Sequence, residues 1–109
     1  MEMEKLETFQ GAVDHIQREL KDLMIKKQSD YGHKNITEFG EYGVLVRVND
    51  KLARLKNLTT KNNQVMVSDE TIDDTWADIA NYAIIALMLR NNIFELPLSE
   101  HKGAQPNVK

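Results

Sequence analysis

Apolar residues recur along the first part of the chain at alternating three- and four-residue spacing: Leu6, Phe9, Val13, Ile16, Leu20 and Leu23. That spacing draws one stripe along an amphipathic helix of about six turns, with Glu7, Asp14, Arg18, Lys21 and Asp22 on its other faces. The stripe stops at Lys26-Lys27, and Ser29-Asp30-Tyr31-Gly32 are turn formers that predict the helix end. From Gly32 to Gly43 the chain has three glycines, two aromatics and a histidine with no helical or strand period, and reads as a loop. A second helix is predicted over Val44 to Leu58, where Val44, Val48, Leu52 and Leu55 share one face and Arg47, Asp50, Lys51 and Arg54 the other. The VLVRV opening alternates β-branched residues, yet the NDKLARLKNL continuation favours a single helix.

Thr59 to Val67 is a polar connection. Ser68 then offers an N-cap, with Asp69 and Glu70 in the first turn, and a third helix is predicted from Asp69 to Asn91. Residues after Pro97 carry no period. The expected organisation is one helical domain over 1–96 and a flexible tail over 97–109. Without a confident strand, the fold class is all-α: an antiparallel bundle of three main helices.

The third helix has an unusual centre. From Trp76 to Leu89 there is one charged residue in fourteen, Asp78. A helix apolar on every side is expected to be covered on every side, which 109 residues cannot easily do. Completion by self-association, as a dimer or tetramer along this run, is therefore expected. The run is too short and interrupted for a membrane span. Trp76 falls at helical spacing with Ile72, Ala80 and Ala83 and reads as core or subunit interface.

Composition narrows the chemistry. The chain has no cysteine, which removes disulfides, thiolate metal sites and Cys nucleophiles together. A net charge of −3 is a poor footprint for duplex nucleic acid. The acidic start lacks an apolar signal segment, so a cytoplasmic location is expected.

What remains is a constellation of charges. Glu70, Asp74 and Asp78 stand at i, i+4 and i+8, within about 80° of one another in helical projection. Asn81 falls in the same sector. Stacked like charges repel, and a carboxylate in an apolar run needs a cation. A hard cation such as Mg²⁺ would supply it, using carboxylate oxygens and leaving positions for phosphate. The basic face of the second helix, Arg47, Lys51 and Arg54 around Asp50, would also supply it, as an ion-pair network. Spacing alone leaves both open. His15 points off the first stripe and reads as a solvated residue, whereas His33 sits in the Gly-rich loop beside Tyr31.

The segments KKQSDYG, RVNDKLARL and ETIDDTWADIANYA resemble the nucleotide modification associated domain of phages and bacteria, in its first class. In that family a KxxDYG turn precedes RxxDKxxRL and then ExxxDxxxDxxxY. The resemblance spans about Ile25 to Leu89. More distantly the chain is similar to the all-α nucleoside triphosphate pyrophosphohydrolases of the MazG and dimeric dUTPase group, in which carboxylates of an ExxE and an ExxD helix bind Mg²⁺. Asp78 matches the last Asp of the second motif. The first motif departs, since helix two offers only Asp50; Glu19 and Asp22 have ExxD spacing in helix one.

The resemblance implies a nucleotide-related role. In an Mg²⁺-dependent pyrophosphohydrolase, Asp50, Glu70, Asp74 and Asp78 would hold metal, and Asp50, Asp74 and Asp78 would act in catalysis. Lys27, Arg47, Lys51 and Arg54 would bind phosphates, Tyr31 or His33 would face the base or sugar, and Asn81 would count among the substrate-binding residues. The shortfall in acids motivates a second reading, a protein that sequesters a nucleotide or cyclic nucleotide without turnover. A third is an interaction module whose charged rows only pair helices.

Overall fold

The computed structural model describes residues 6–60 and 69–99, with the backbone alone at 59, 60, 69 and 70. Four helices account for most of it: α1 (Phe9–Tyr31), α2 (Lys34–Thr37), α3 (Gly40–Thr60) and α4 (Asp69–Arg90). No strand occurs among the described residues, so the all-α class holds. The expected Ser68 cap, the Thr59–Val67 connection beyond Thr60 and the tail from residue 100 lie outside them.

Thr8 caps α1, its Oγ1 accepting the Gly11 N–H at 2.9 Å. The helix ends within the expected Ser29–Gly32 turn, at its last residue, having run on through Ser29 and Asp30. Those residues are poor helix formers by only a few tenths of a kcal/mol each, and Asp30 stands one turn from Lys26, 3.9 Å away. The stop is Gly32, at φ 73° and ψ −170°. That region is essentially reserved for glycine, and the Gly32 N–H closes the last turn on the Gln28 carbonyl.

The expected loop from Gly32 to Gly43 is mostly helical. The one-turn α2 buries Ile36, and α3 starts at Gly40 rather than Val44. A single turn cannot display a period, so the pattern hid it. Gly43 serves close packing: a Cβ there would stand 2.5 Å from the Cβ of Phe39.

α3 and α4 run antiparallel. Glu41 at the start of α3 meets Arg90 at the end of α4 at 3.1 Å, and Lys51 meets Asp78 halfway along both. α1 lies against α4 on another side, with opposed chain direction: Lys27 reaches Asp78, and the Leu20 carbonyl accepts from Asn81. α4 is thus the central helix, and the bundle has four helices rather than three.

Past α4 the chain turns through Asn92, at φ 57°. The Ile93 N–H donates to the Met88 carbonyl and the Asn92 N–H to the Leu89 carbonyl. This is a Schellman cap with Asn in the left-handed position, satisfying carbonyls the helix end leaves free. It returns Phe94 to the interior, 5% exposed, against the cluster of Ile36 and Val44. Val48, Tyr82, Ile85 and Met88 pack around it.

The described residues do not cover the apolar run of α4 on every side. Its core side is packed, but Trp76, Ile84 and Leu87 are exposed, Leu87 by 61%. The stripe of α1 is also largely open: none of its residues is buried, and Phe9 is 80% exposed. Leu52, expected on the packed face of α3, is exposed as well. No helix among the described residues is long and apolar enough to cross a membrane.

Candidate functional site

Three helices meet at Asp78. Its Oδ1 lies 3.2 Å from Lys27 Nζ on α1 and its Oδ2 lies 2.9 Å from Lys51 Nζ on α3. The Asp78 side chain is 20% exposed. One carboxylate therefore answers two ammonium groups, and the apolar centre of α4 places it where an unpaired charge would be costly. Arg47, one turn before Lys51, makes no ion pair among the described residues. Lys27, Arg47 and Lys51 against Asp78 leave a local excess of two positive charges.

Beside this cluster lies a cavity of about 210 Å³. Lys27, Arg47, Asp78 and Asn81 contribute its polar wall, and Tyr31 and Gly32 line it where α1 ends. Met24, Ile36, Tyr82, Ile85 and Phe94 form its apolar side. Tyr31 is otherwise exposed. Asn81 is 7% exposed; its Nδ2 donates to the Leu20 carbonyl at 3.1 Å, and its Oδ1 is covered without a partner. A buried acceptor left unpaired costs about 1–3 kcal/mol.

The expected acidic row and basic row thus meet at one point. Asp78 and Lys51 pair across α4 and α3, and Lys27 joins from α1. Asp50, Asp74 and Arg54 are exposed and do not line the cavity. The Glu70 side chain lies outside the described residues. His33 stands at the N-cap of α2, where its carbonyl accepts from Thr37, and its imidazole is not part of the cavity wall. Glu19 and Asp22 do not line it either. His15, expected in solvent, is half-buried: its Nε2 is covered without a hydrogen-bond partner, 3.8 Å from Glu19.

Magnesium takes oxygen ligands in a near-octahedral shell at about 2.0–2.1 Å. Among the described residues no three His, Asp or Glu side chains converge to hold a metal, and both Asp78 oxygens already face ammonium groups. The described donors do not fit a divalent cation. They fit an anion: two ammonium groups and a guanidinium with its fork of donors are what phosphate oxygens take.

Several lining residues were not foreseen. Gln28 lies inside the KKQSDYG segment and Asn35 in the supposed loop, so both were within reach of the motif reading. Met24 carries the helical pattern of an ordinary core residue, whereas Tyr82 is the last residue of the ExxxDxxxDxxxY pattern. Phe94 had no signal, because its return depends on a positive φ at Asn92.

No curated protein and no solved structure matches the chain. The sequence pattern of one family does, over residues 27–89, more than half of the chain. That span begins at Lys27 and holds Arg47, Lys51, Asp78 and Asn81, which the fold gathers in one place. The chain belongs to the nucleotide modification associated domain 1 family.

Proposed function

We propose that this protein binds a nucleotide, with phosphates held by Lys27, Arg47 and Lys51 and the base in the adjoining cavity. The observation that carries this reading is the charge imbalance at Asp78, two ammonium groups on one carboxylate with Arg47 beside them and without an ion pair among the described residues. Without a ligand, Asp78 keeps the two lysines together. With one, phosphate oxygens share them, and Arg47 adds a two-pronged contact. Contacts of this kind need no metal.

Calorimetry with a panel of nucleoside triphosphates in EDTA tests the proposal. The expected result is binding that weakens as salt rises, with the ligand recovered intact. Absence of binding throughout the panel, from folded protein, sinks it.

One observation favours a hydrolytic second reading, along the line of the MazG group. Asp74 stands exposed one turn before Asp78 on α4, where the two carboxylates would orient a water against the phosphates. Pyrophosphate release from the same panel with magnesium added would establish that reading in place of sequestration.

The open faces of α1 and α4 support self-association through Phe9, Val13 and Leu87. Sedimentation is expected to give a dimer or larger species, dissociated by Leu87→Asp with helicity retained.

A further inference from the structure

The geometry points to Asn81 as the residue that reads the base: the cavity takes a nucleobase presenting an N–H donor, which pairs with Asn81 Oδ1. This rests on the nucleotide-binding reading above. The Asn81 amide has one orientation available. Nδ2 faces the Leu20 carbonyl at 3.1 Å, and the flipped amide would set two acceptors against each other. Oδ1 is therefore the group left over, and it accepts only. It belongs to a side chain more than nine-tenths buried in the cavity wall, and none of the described residues donates to it.

The remaining wall suits a flat ring. Ile36, Ile85 and Phe94 give apolar contact, and Tyr82 adds a second aromatic residue. At about 210 Å³ the cavity is smaller than the about 300–1,000 Å³ that encloses whole drug-sized ligands. It is sized for the base alone, with sugar and phosphates outside at Lys27 and Arg47. Oδ1 is covered in the ligand-free protein, so a donor reaches it once a lining side chain shifts; Met24 lines the same cavity, and its unbranched thioether arm moves at low cost. Phosphate alone would leave Oδ1 unpaired, so the base adds affinity that the cations cannot.

The test compares isosteric ligands on the wild-type protein. Adenosine triphosphate is paired with its 6-deamino purine analogue, and cytidine triphosphate with its 4-deamino analogue; each analogue lacks the base N–H groups and keeps the ring and phosphates. Inorganic triphosphate is the phosphate-only control. For at least one pair the amino form is expected to bind about tenfold tighter or more, the effect of leaving one buried acceptor unpaired. Asn81→Leu is expected to erase that difference while keeping inorganic triphosphate binding; if the variant does not fold, the wild-type comparison decides alone. Equal binding of amino and deamino forms in both pairs, with guanosine and thymidine triphosphates bound no tighter than the deamino forms, overturns the role of Asn81 and leaves nucleotide binding standing. Inorganic triphosphate binding as tightly as every nucleotide overturns the base site. No binding of any ligand, inorganic triphosphate included, overturns the parent reading itself.

Discussion

Lys51 Nζ lies 2.9 Å from Asp78 Oδ2, joining the middle of α3 to the middle of α4, while Lys27 holds the other oxygen from α1. Three helices thus converge on one carboxylate. Half-exposed pairs of this kind contribute about 0.2–1 kcal/mol each, too little to organise the fold. Their consequence is electrostatic: cations gathered beside a cavity.

Replacing Asp78 separates structure from chemistry. Asp78→Asn removes the shared anion, and stability is expected to fall by about 1 kcal/mol, read from the denaturation midpoint. Affinity for inorganic triphosphate is expected to rise, because the local charge excess grows from two to three. A fall in that affinity would mean that Asp78 contributes to ligand binding by more than charge.

Arg47 is the sharper probe of binding, since it makes no ion pair among the described residues. Arg47→Ala is expected to weaken nucleoside triphosphate binding about tenfold and to leave the melting temperature nearly unchanged. Arg47→Lys should restore little, because an ammonium cannot reproduce the planar fork. Titration calorimetry and thermal melts on the same preparations separate the two effects.

Gly32 ends α1 in a backbone region that a Cβ disfavours. Gly32→Ala is expected to cost about 1–3 kcal/mol, although the added methyl would meet nothing within 4 Å. The cost is conformational and not steric. Chemical denaturation measures it, and an unchanged midpoint would contradict the observed cap.

Phe94 closes the cluster with Ile36 and Val44 and also lines the cavity. Phe94→Ala is expected to lower stability by about 3 kcal/mol or more, and to weaken nucleotide binding more than inorganic triphosphate binding. Equal loss for both ligands would place the base elsewhere.

Much of this architecture is legible one residue at a time. The third predicted helix, Asp69 to Asn91, coincides with α4 to within a residue, because caps and an uninterrupted run of helix formers are local signals. Asp78 stood out for the same reason, as the single charge in an apolar run, but spacing left open whether a metal or the basic face of the second helix answers it; the packing of α3 on α4 supplies Lys51. The end of α1 falls at the last residue of the expected Ser29–Gly32 turn, because Ser29 and Asp30 are weak breakers, outweighed by helix propagation until Gly32 adopts a conformation other residues avoid. α2 was invisible, being shorter than any period.

Local pattern thus sets the class, the long helices and the charges available to them, since these depend on spacing within one segment. The assembly of the site depends on contacts between segments distant in the chain. Lys27 reaches Asp78 across fifty-one residues, and Asn81 reaches Leu20 across sixty-one. Phe94 enters the core only because Asn92 turns the chain back. An orphan acceptor such as Asn81 Oδ1 has no sequence signature at all. It exists only once packing has decided which half of the amide is used and which is left without a partner among the described residues.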